Sequence, residues 1–244
     1  MRAFRHTPLQ CHRVNSERFT INERPGVTFR YDESSLQEHY MIHEIRTYDL
    51  VPRGVPEFLE KTGAMAPERV KVTPLGGFFY TEVGALNQVV HIWPYDDMNH
   101  RTDTRAKVVA DGVWPPDNAN LILNMQSEIY YPAPFMPELT PRKIGPLFEL
   151  RTYKYGQGDI PKVINAWGDA IEERQKYSPL VGAWFSDIGP LNRWAHMWAY
   201  ESFEHRMDVR NETRAKGVWP PKSPVSPLAQ ENKLMWAADF SPLQ

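Results

Sequence analysis

A histidine, a tryptophan and a tyrosine stand at alternate positions in His91, Trp93 and Tyr95, and a glutamate, an arginine and a tyrosine do so in Glu44, Arg46 and Tyr48. Alternation puts each trio on one face of a β-strand. Both trios return 105 residues later, as His196, Trp198 and Tyr200 and as Glu149, Arg151 and Tyr153. An imidazole that titrates near neutrality can carry a proton, and a guanidinium can clasp a carboxylate through two parallel hydrogen bonds. These residues therefore make a candidate pocket for a polar ligand, with Arg46 and Arg151 as carboxylate clamps and His91 and His196 as proton carriers. They equally suit a structural role, in which Glu44 with Arg46 and Glu149 with Arg151, or combinations across the copies, form buried ion pairs while the aromatic rings fill space.

Other chemistry is not signalled. His91, His196 and a glutamate could converge on a metal, but their spacing does not ask for one, so no metal and no cofactor, haem included, is expected. The chain has no phosphate-cradling glycine loop, nucleotide fingerprint or nucleophile elbow. With 28 Lys and Arg against 30 Asp and Glu in 244 residues, nothing draws it toward nucleic acid. No run approaches the roughly 18 apolar residues that cross a bilayer. The single cysteine, Cys11, rules out an internal disulfide and points to a reducing compartment, hence a cytoplasmic location or, in a eukaryote, a mitochondrial one. Residues 1–40 read as a leader outside the fold, faintly like a transit peptide in carrying Arg2, Arg5, Arg13 and Arg18 with no acid before Glu17.

The elements that would position the trios follow from the same offset, which aligns Met41 to the C-terminus with no gap and pairs "GVWPP" at 112–116 with "GVWPP" at 217–221. The chain is a tandem duplication: repeat 1 spans 41–139, a linker 140–146 and repeat 2 147–244. In each repeat a strand (42–49; 147–154) precedes a helix marked by an apolar stripe at Val55, Phe58, Leu59 and Thr62 or at Ile160, Val163, Ile164 and Trp167. Two strands joined by a tight turn follow (77–82 and 88–95 in repeat 1). A second helix is capped by Asp96 or Asp97, or by Ser202, and ends at Gly112 or Gly217. A last strand is expected near 121–131 and near 228–240. Strand, helix, strand, strand, helix, strand is the ferredoxin-like order. Two such βαββαβ units can cover each other face to face, which gives an α+β fold with a pseudo-symmetric, dimeric-type α+β barrel. If Val90 and Ile92 point to the helices, then His91, Trp93, Tyr95, Glu44, Arg46, Tyr48 and their copies face the space between the two sheets. Arg101 and Arg105, like Arg206 and Arg210, then lie on a solvated helix face, or one of them stacks on Trp114 or Trp219 and fixes the turn.

The joint occurrence of Glu-x-Arg-Thr-Tyr, His-x-Trp-x-Tyr, Arg-x-x-x-Arg and Gly-Val-Trp, twice over, resembles the NIPSNAP family from Ile42 to the C-terminus. The resemblance implies the dimeric α+β barrel superfamily, whose other members include cofactor-independent monooxygenases and haem-degrading enzymes. For animal members it implies mitochondrial, trafficking or mitophagy interactions. Two functions are open. In one, a small aromatic or carboxylate-bearing molecule binds between the sheets, with cofactor-independent catalysis as a further step. In the other, a protein without enzymatic activity works through an outer surface or as a homo-oligomer and its polar interior is structural. A cavity of at least about 300 Å³ lined by Arg46, His91, Arg151 and His196 would separate the two.

Overall fold

The computed structural model of the chain describes residues 41–244, so the leader expected at 1–40 lies outside them. In repeat 1 the elements are β1 (Ile42–Leu50), α1 (Val55–Arg69), β2 (Gly77–Val83), β3 (Gln88–Tyr95), α2 (Met98–Ala110) and β4 (Ile122–Pro132). Repeat 2 supplies β5 (Leu147–Lys154), α3 (Ile160–Gln175), β6 (Leu180–Ile188), β7 (Arg193–Tyr200), α4 (Phe203–Ala215) and β8 (Ala229–Ala237). Pro56 and Pro161 occupy the first turns of α1 and α3, where the missing N–H has no helical acceptor to lose. The His100 N–H donates to the Asp97 side chain at the start of α2, and the His205 N–H donates to the Ser202 hydroxyl at the start of α4. Both second helices stop where Gly112 and Gly217 take φ of 65° and 68°. The N–H of Val113 reaches back to the Val108 carbonyl and that of Val218 to Thr213, which closes the helix end with a left-handed glycine in its usual place.

The eight strands close into one antiparallel barrel in the order β1-β3-β2-β8-β5-β7-β6-β4. Each repeat contributes four neighbouring strands, and the seams are β2 on β8 and β4 on β6. Half a turn around this ring carries every strand onto its copy, so the pseudo-twofold axis runs along the barrel. Among the described residues no helix is long and apolar enough to cross a membrane.

One end of the barrel interior is apolar. Ile45, Val90, Ile92, Leu150, Met197 and Met235 meet there with Phe79 and Phe148, whose rings are 4.8 Å apart across the halves. The symmetry-related pair is His43 with Trp184, in which the indole N–H donates to His43 Nδ1 at 2.8 Å. Leu243 is fully buried in the same cluster, with Met136, Leu139 and Ile144 of the linker region packed against it. Residues toward the opposite end line a cavity of only about 70 Å³ that includes Thr47, Gln126, Glu128 and Lys233.

This packing corrects the expected facing. Val90 and Ile92 point into the barrel, not at the helices, and Glu44, Arg46, Tyr48, His91, Trp93 and Tyr95 with their copies sit on the outer face beneath the helices. Strand periodicity gives the two faces but not their order. The order is set by the helices, because α2 and α4 bring arginines over Glu44 and Glu149 on the outer face.

Candidate functional site

Glu44 on β1 has no exposed side-chain surface and is the hub of the outer face of repeat 1. Arg46 Nη1 donates to its Oε1 at 2.6 Å, Arg101 Nη2 at 2.7 Å and Ser127 Oγ at 2.6 Å, with Arg105 Nη1 3.8 Å away. Burial pushes the carboxyl upward, but the bonds from Arg101 and Ser127 and the charge of Arg46 outweigh it and hold the pKa at about 2. Glu149 repeats the arrangement with Arg151 at 2.8 Å, Arg206 at 2.6 Å and Arg210 at 3.9 Å, and its pKa is likewise held at about 2 against burial. Arg46 Nε and Arg151 Nε donate to the hydroxyls of Tyr48 and Tyr153 at 2.7 and 2.6 Å. The ion pairs expected within each trio are therefore formed inside one strand, and Arg101 and Arg206 extend them from sheet to helix rather than from sheet to sheet. Arg101 and Arg206, read as solvated or stacked on a tryptophan, are spent on these carboxylates.

The histidines have a fixed protonation state. Trp93 Nε1 donates to His91 Nδ1 at 2.7 Å, and Trp198 Nε1 donates to His196 Nδ1 at 3.0 Å. An indole nitrogen only donates, so each Nδ1 is bare and each neutral ring carries its proton on Nε2. Burial, reinforced by Arg46, lowers the His91 pKa to about 3, and burial with Arg151 takes His196 well below its ordinary value. Both Nε2 atoms are buried without a hydrogen-bond partner among the described residues. Such rings are hydrogen-bond donors to an incoming oxygen, and the proton-carrier role expected of them is not supported by this geometry.

Two arginines that sequence reasoning passed over complete the site. Arg69 and Arg174 end the first helix of each repeat and are 2% exposed, yet neither has a carboxylate within ion-pair distance among the described residues. The Arg69 guanidinium lies 4.1 Å from the Trp93 ring centroid, and that of Arg174 lies 4.0 Å from Trp198 and 5.9 Å from Trp219. Arg174 donates to Ser178 Oγ at 3.0 Å and to the Tyr200 hydroxyl at 3.4 Å. Burial lowers its pKa from the usual guanidinium value. Of the two turn tryptophans, Trp219 thus lies beside an arginine, though one from the first helix and not the second, whereas the ring of Trp114 packs edge-on against Trp93. The signal was present in the sequence as an arginine repeated at the common offset, in "RVKVTPLGG" and "RQKYSPLVG".

Each repeat has a cavity between its sheet and its helices, walled by the histidine, the first-strand tyrosine and the Trp-Pro-Pro turn. In repeat 2 it holds about 400 Å³ and is lined by Arg151, Arg174, Arg210 and Arg214 with His196 and Trp219, and by no acidic side chain. In repeat 1 it holds about 550 Å³ and is lined by no charged side chain at all. Three of the repeat 2 arginines have counterparts in Arg46, Arg69 and Arg105, which do not line the repeat 1 cavity, while in sequence Phe58 and Phe78 become Val163 and Ala183, Val109 becomes Arg214, and Met125 becomes Gln230. Arg151, His196, Tyr153, Trp198 and Tyr200 of the expected set meet in the repeat 2 cavity, whereas only Tyr48 and His91 line that of repeat 1. Glu44 and Glu149 line neither cavity. Among the described residues no group of three His, Cys, Asp or Glu could hold a metal ion.

The family described as NIPSNAP matches residues 43–137 and again 148–242. Protein NipSnap homolog 3A of Pongo abelii is 32% identical over 234 residues, covering 90% of this chain and 93% of the relative. The protein of the same name in Homo sapiens is 33% identical over 218 residues, covering 84% and 86%. A proposed monooxygenase of Fusobacterium nucleatum superposes with a TM-score of 0.57 at 10% identity, covering 83% of this chain and 94% of that one, which is a likeness of fold.

Proposed function

The chain belongs to the NIPSNAP family, and from that premise we propose that its second repeat binds a small, planar, carboxylate-bearing organic molecule between sheet and helices. The observation that carries this reading is Arg174, a buried guanidinium that lines a 400 Å³ cavity and has no carboxylate partner among the described residues. An unpaired buried cation is costly, and an anion entering the cavity would supply the missing charge while its flat body lies against Trp198 and Trp219. Arg210 and Arg214 add to the positive wall, and the His196 Nε2–H offers a further donor. Should the ligand also react there, His196 serves to hold charge that develops on an oxygen, since its bare nitrogen is occupied by Trp198. The direct test is a thermal-shift screen of aromatic and aliphatic carboxylates on wild-type and Arg174→Met protein. A carboxylate at a hundred times its dissociation constant should add about 2.7 kcal/mol to the first and little to the second. Equal stabilisation of both proteins would sink the proposal.

Self-association belongs to the same reading. Val83 and Leu86 on the β2–β3 hairpin and Ile188 and Leu191 on the β6–β7 hairpin are exposed, and the pseudo-twofold places both hairpins at one end of the barrel. A second copy meeting this end would cover all four, and light scattering that finds only monomer would remove the contact. The lone cysteine supports a reducing, cytoplasmic setting.

A further inference from the structure

The cavity of repeat 1 calls for a different ligand. Phe58, Phe78, Trp114, Ile122 and Met125 give it apolar walls, and its exposed rim residues Leu123 and Met125 open it to solvent. Two of its lining residues are buried polar groups with a hydrogen-bonding atom left over. His91, 2% exposed, receives the Trp93 N–H on Nδ1, so its Nε2–H is a donor without an acceptor among the described residues. Asn118, equally buried, donates its amide nitrogen to Thr62 Oγ1 at 2.9 Å and to the Phe58 carbonyl at 3.5 Å. The carbonyl can only accept, which fixes the amide orientation and leaves Oδ1 an acceptor without a donor. In repeat 2 the residue equivalent to Asn118 is Ser223, and guanidinium groups line the wall, so this combination occurs only in repeat 1.

A buried donor or acceptor left unpaired is costly, and two in one apolar cavity constrain what can enter it. A carboxylate supplies acceptors but no donor and would find no cation on the wall. We propose that this cavity binds an uncharged molecule with an apolar body and polar groups that offer an acceptor to His91 Nε2–H and a donor to Asn118 Oδ1, as a carboxamide does. The site is independent of the anion site of repeat 2, and the two make the duplicated chain a protein with two unlike pockets.

The test is calorimetric titration of the full chain with 4-propylbenzamide and, separately, 4-propylbenzoate, using wild type, Asn118→Leu, Met125→Trp and Arg174→Met. The benzamide should bind wild type and Arg174→Met alike and bind Asn118→Leu about tenfold more weakly, the loss of one buried hydrogen bond. Met125→Trp changes an exposed rim residue and should weaken the benzamide by closing the entrance, which keeps the test decisive if Asn118→Leu fails to fold. The proposal is overturned if the benzamide does not bind wild type up to its solubility, binds both repeat 1 variants as tightly as wild type, or is lost in Arg174→Met. Failure of the benzoate alone bears on repeat 2 and leaves repeat 1 standing.

Discussion

Replacing Arg174 by methionine separates a binding role from a structural one, because the two predict opposite balances of stability and affinity. Methionine keeps the unbranched apolar stem against Trp198 and removes the guanidinium. Without ligand the loss comprises cation–π contacts at 4.0 Å to Trp198 and 5.9 Å to Trp219, together worth about 1–2 kcal/mol when desolvated, and bonds of 3.0 and 3.4 Å to two hydroxyls. Against it stands relief from a buried charge that no carboxylate neutralises, a term of several kcal/mol in the opposite direction. The free variant should therefore unfold in urea within about 1 kcal/mol of wild type, or be more stable. In the complex the guanidinium makes two charge-assisted bonds to the carboxylate, each worth about 1.5 kcal/mol, so the variant should lose about 3 kcal/mol or roughly a hundredfold in dissociation constant for benzoate. Titration calorimetry and urea unfolding on the same preparations read both quantities. A dissociation constant within threefold of wild type, or a free variant destabilised by more than about 3 kcal/mol, would mean that Arg174 is a structural residue and would refute the reasoning.

Glu149→Gln should destabilise the protein by about 3–5 kcal/mol in urea unfolding, and Glu44→Gln by a similar amount, because each leaves Arg151 and Arg206, or Arg46 and Arg101, buried around a neutral group. Stability should fall on acidification in two stages. His43 and His91, held at about 4 and about 3, resist protons that the unfolded chain binds from about 6.5 downward, so up to about 1.4 kcal/mol per pH unit is lost for each ring between pH 6.5 and about 4. Glu44 and Glu149 contribute stability that is complete above their unfolded value near 4.5 and disappears as pH falls toward their folded value of about 2. An unfolding midpoint unchanged between pH 7 and pH 5 would contradict the first stage. Gly217→Ala should cost about 1 kcal/mol in thermal unfolding, since φ is 68° and a methyl group there meets no atom within 4 Å, leaving backbone strain as the whole penalty.

Much of the architecture was legible in the chain because duplication shows every boundary twice. Gln88–Tyr95 and Leu147–Lys154 were delimited to the residue, and the two barrel halves followed from the order of elements. What the alternation of β1 and β3 could not decide was which face looks inward, since both faces are buried: Ile45 and Ile92 at 7% and 0%, Glu44 and His91 at 0% and 2%. The deciding fact is tertiary. Arg101 and Arg206 reach Glu44 and Glu149 across 57 positions of chain, a separation that no local periodicity records. Arg69 and Arg174 were hidden for a related reason, since a basic residue in the last turn of a helix ordinarily complements the helix dipole in water. Asn118 sits in an irregular stretch where no pattern exists to single it out.

The covalent join between β4 and β5 has an evolutionary meaning. Two identical subunits closing such a barrel would be written by one coding sequence, and every change of wall chemistry would be imposed on both clefts at once. Here each half is spelled separately, so one can carry Phe78 where the other carries Ala183, and the wall of one cleft can change while the other keeps its own.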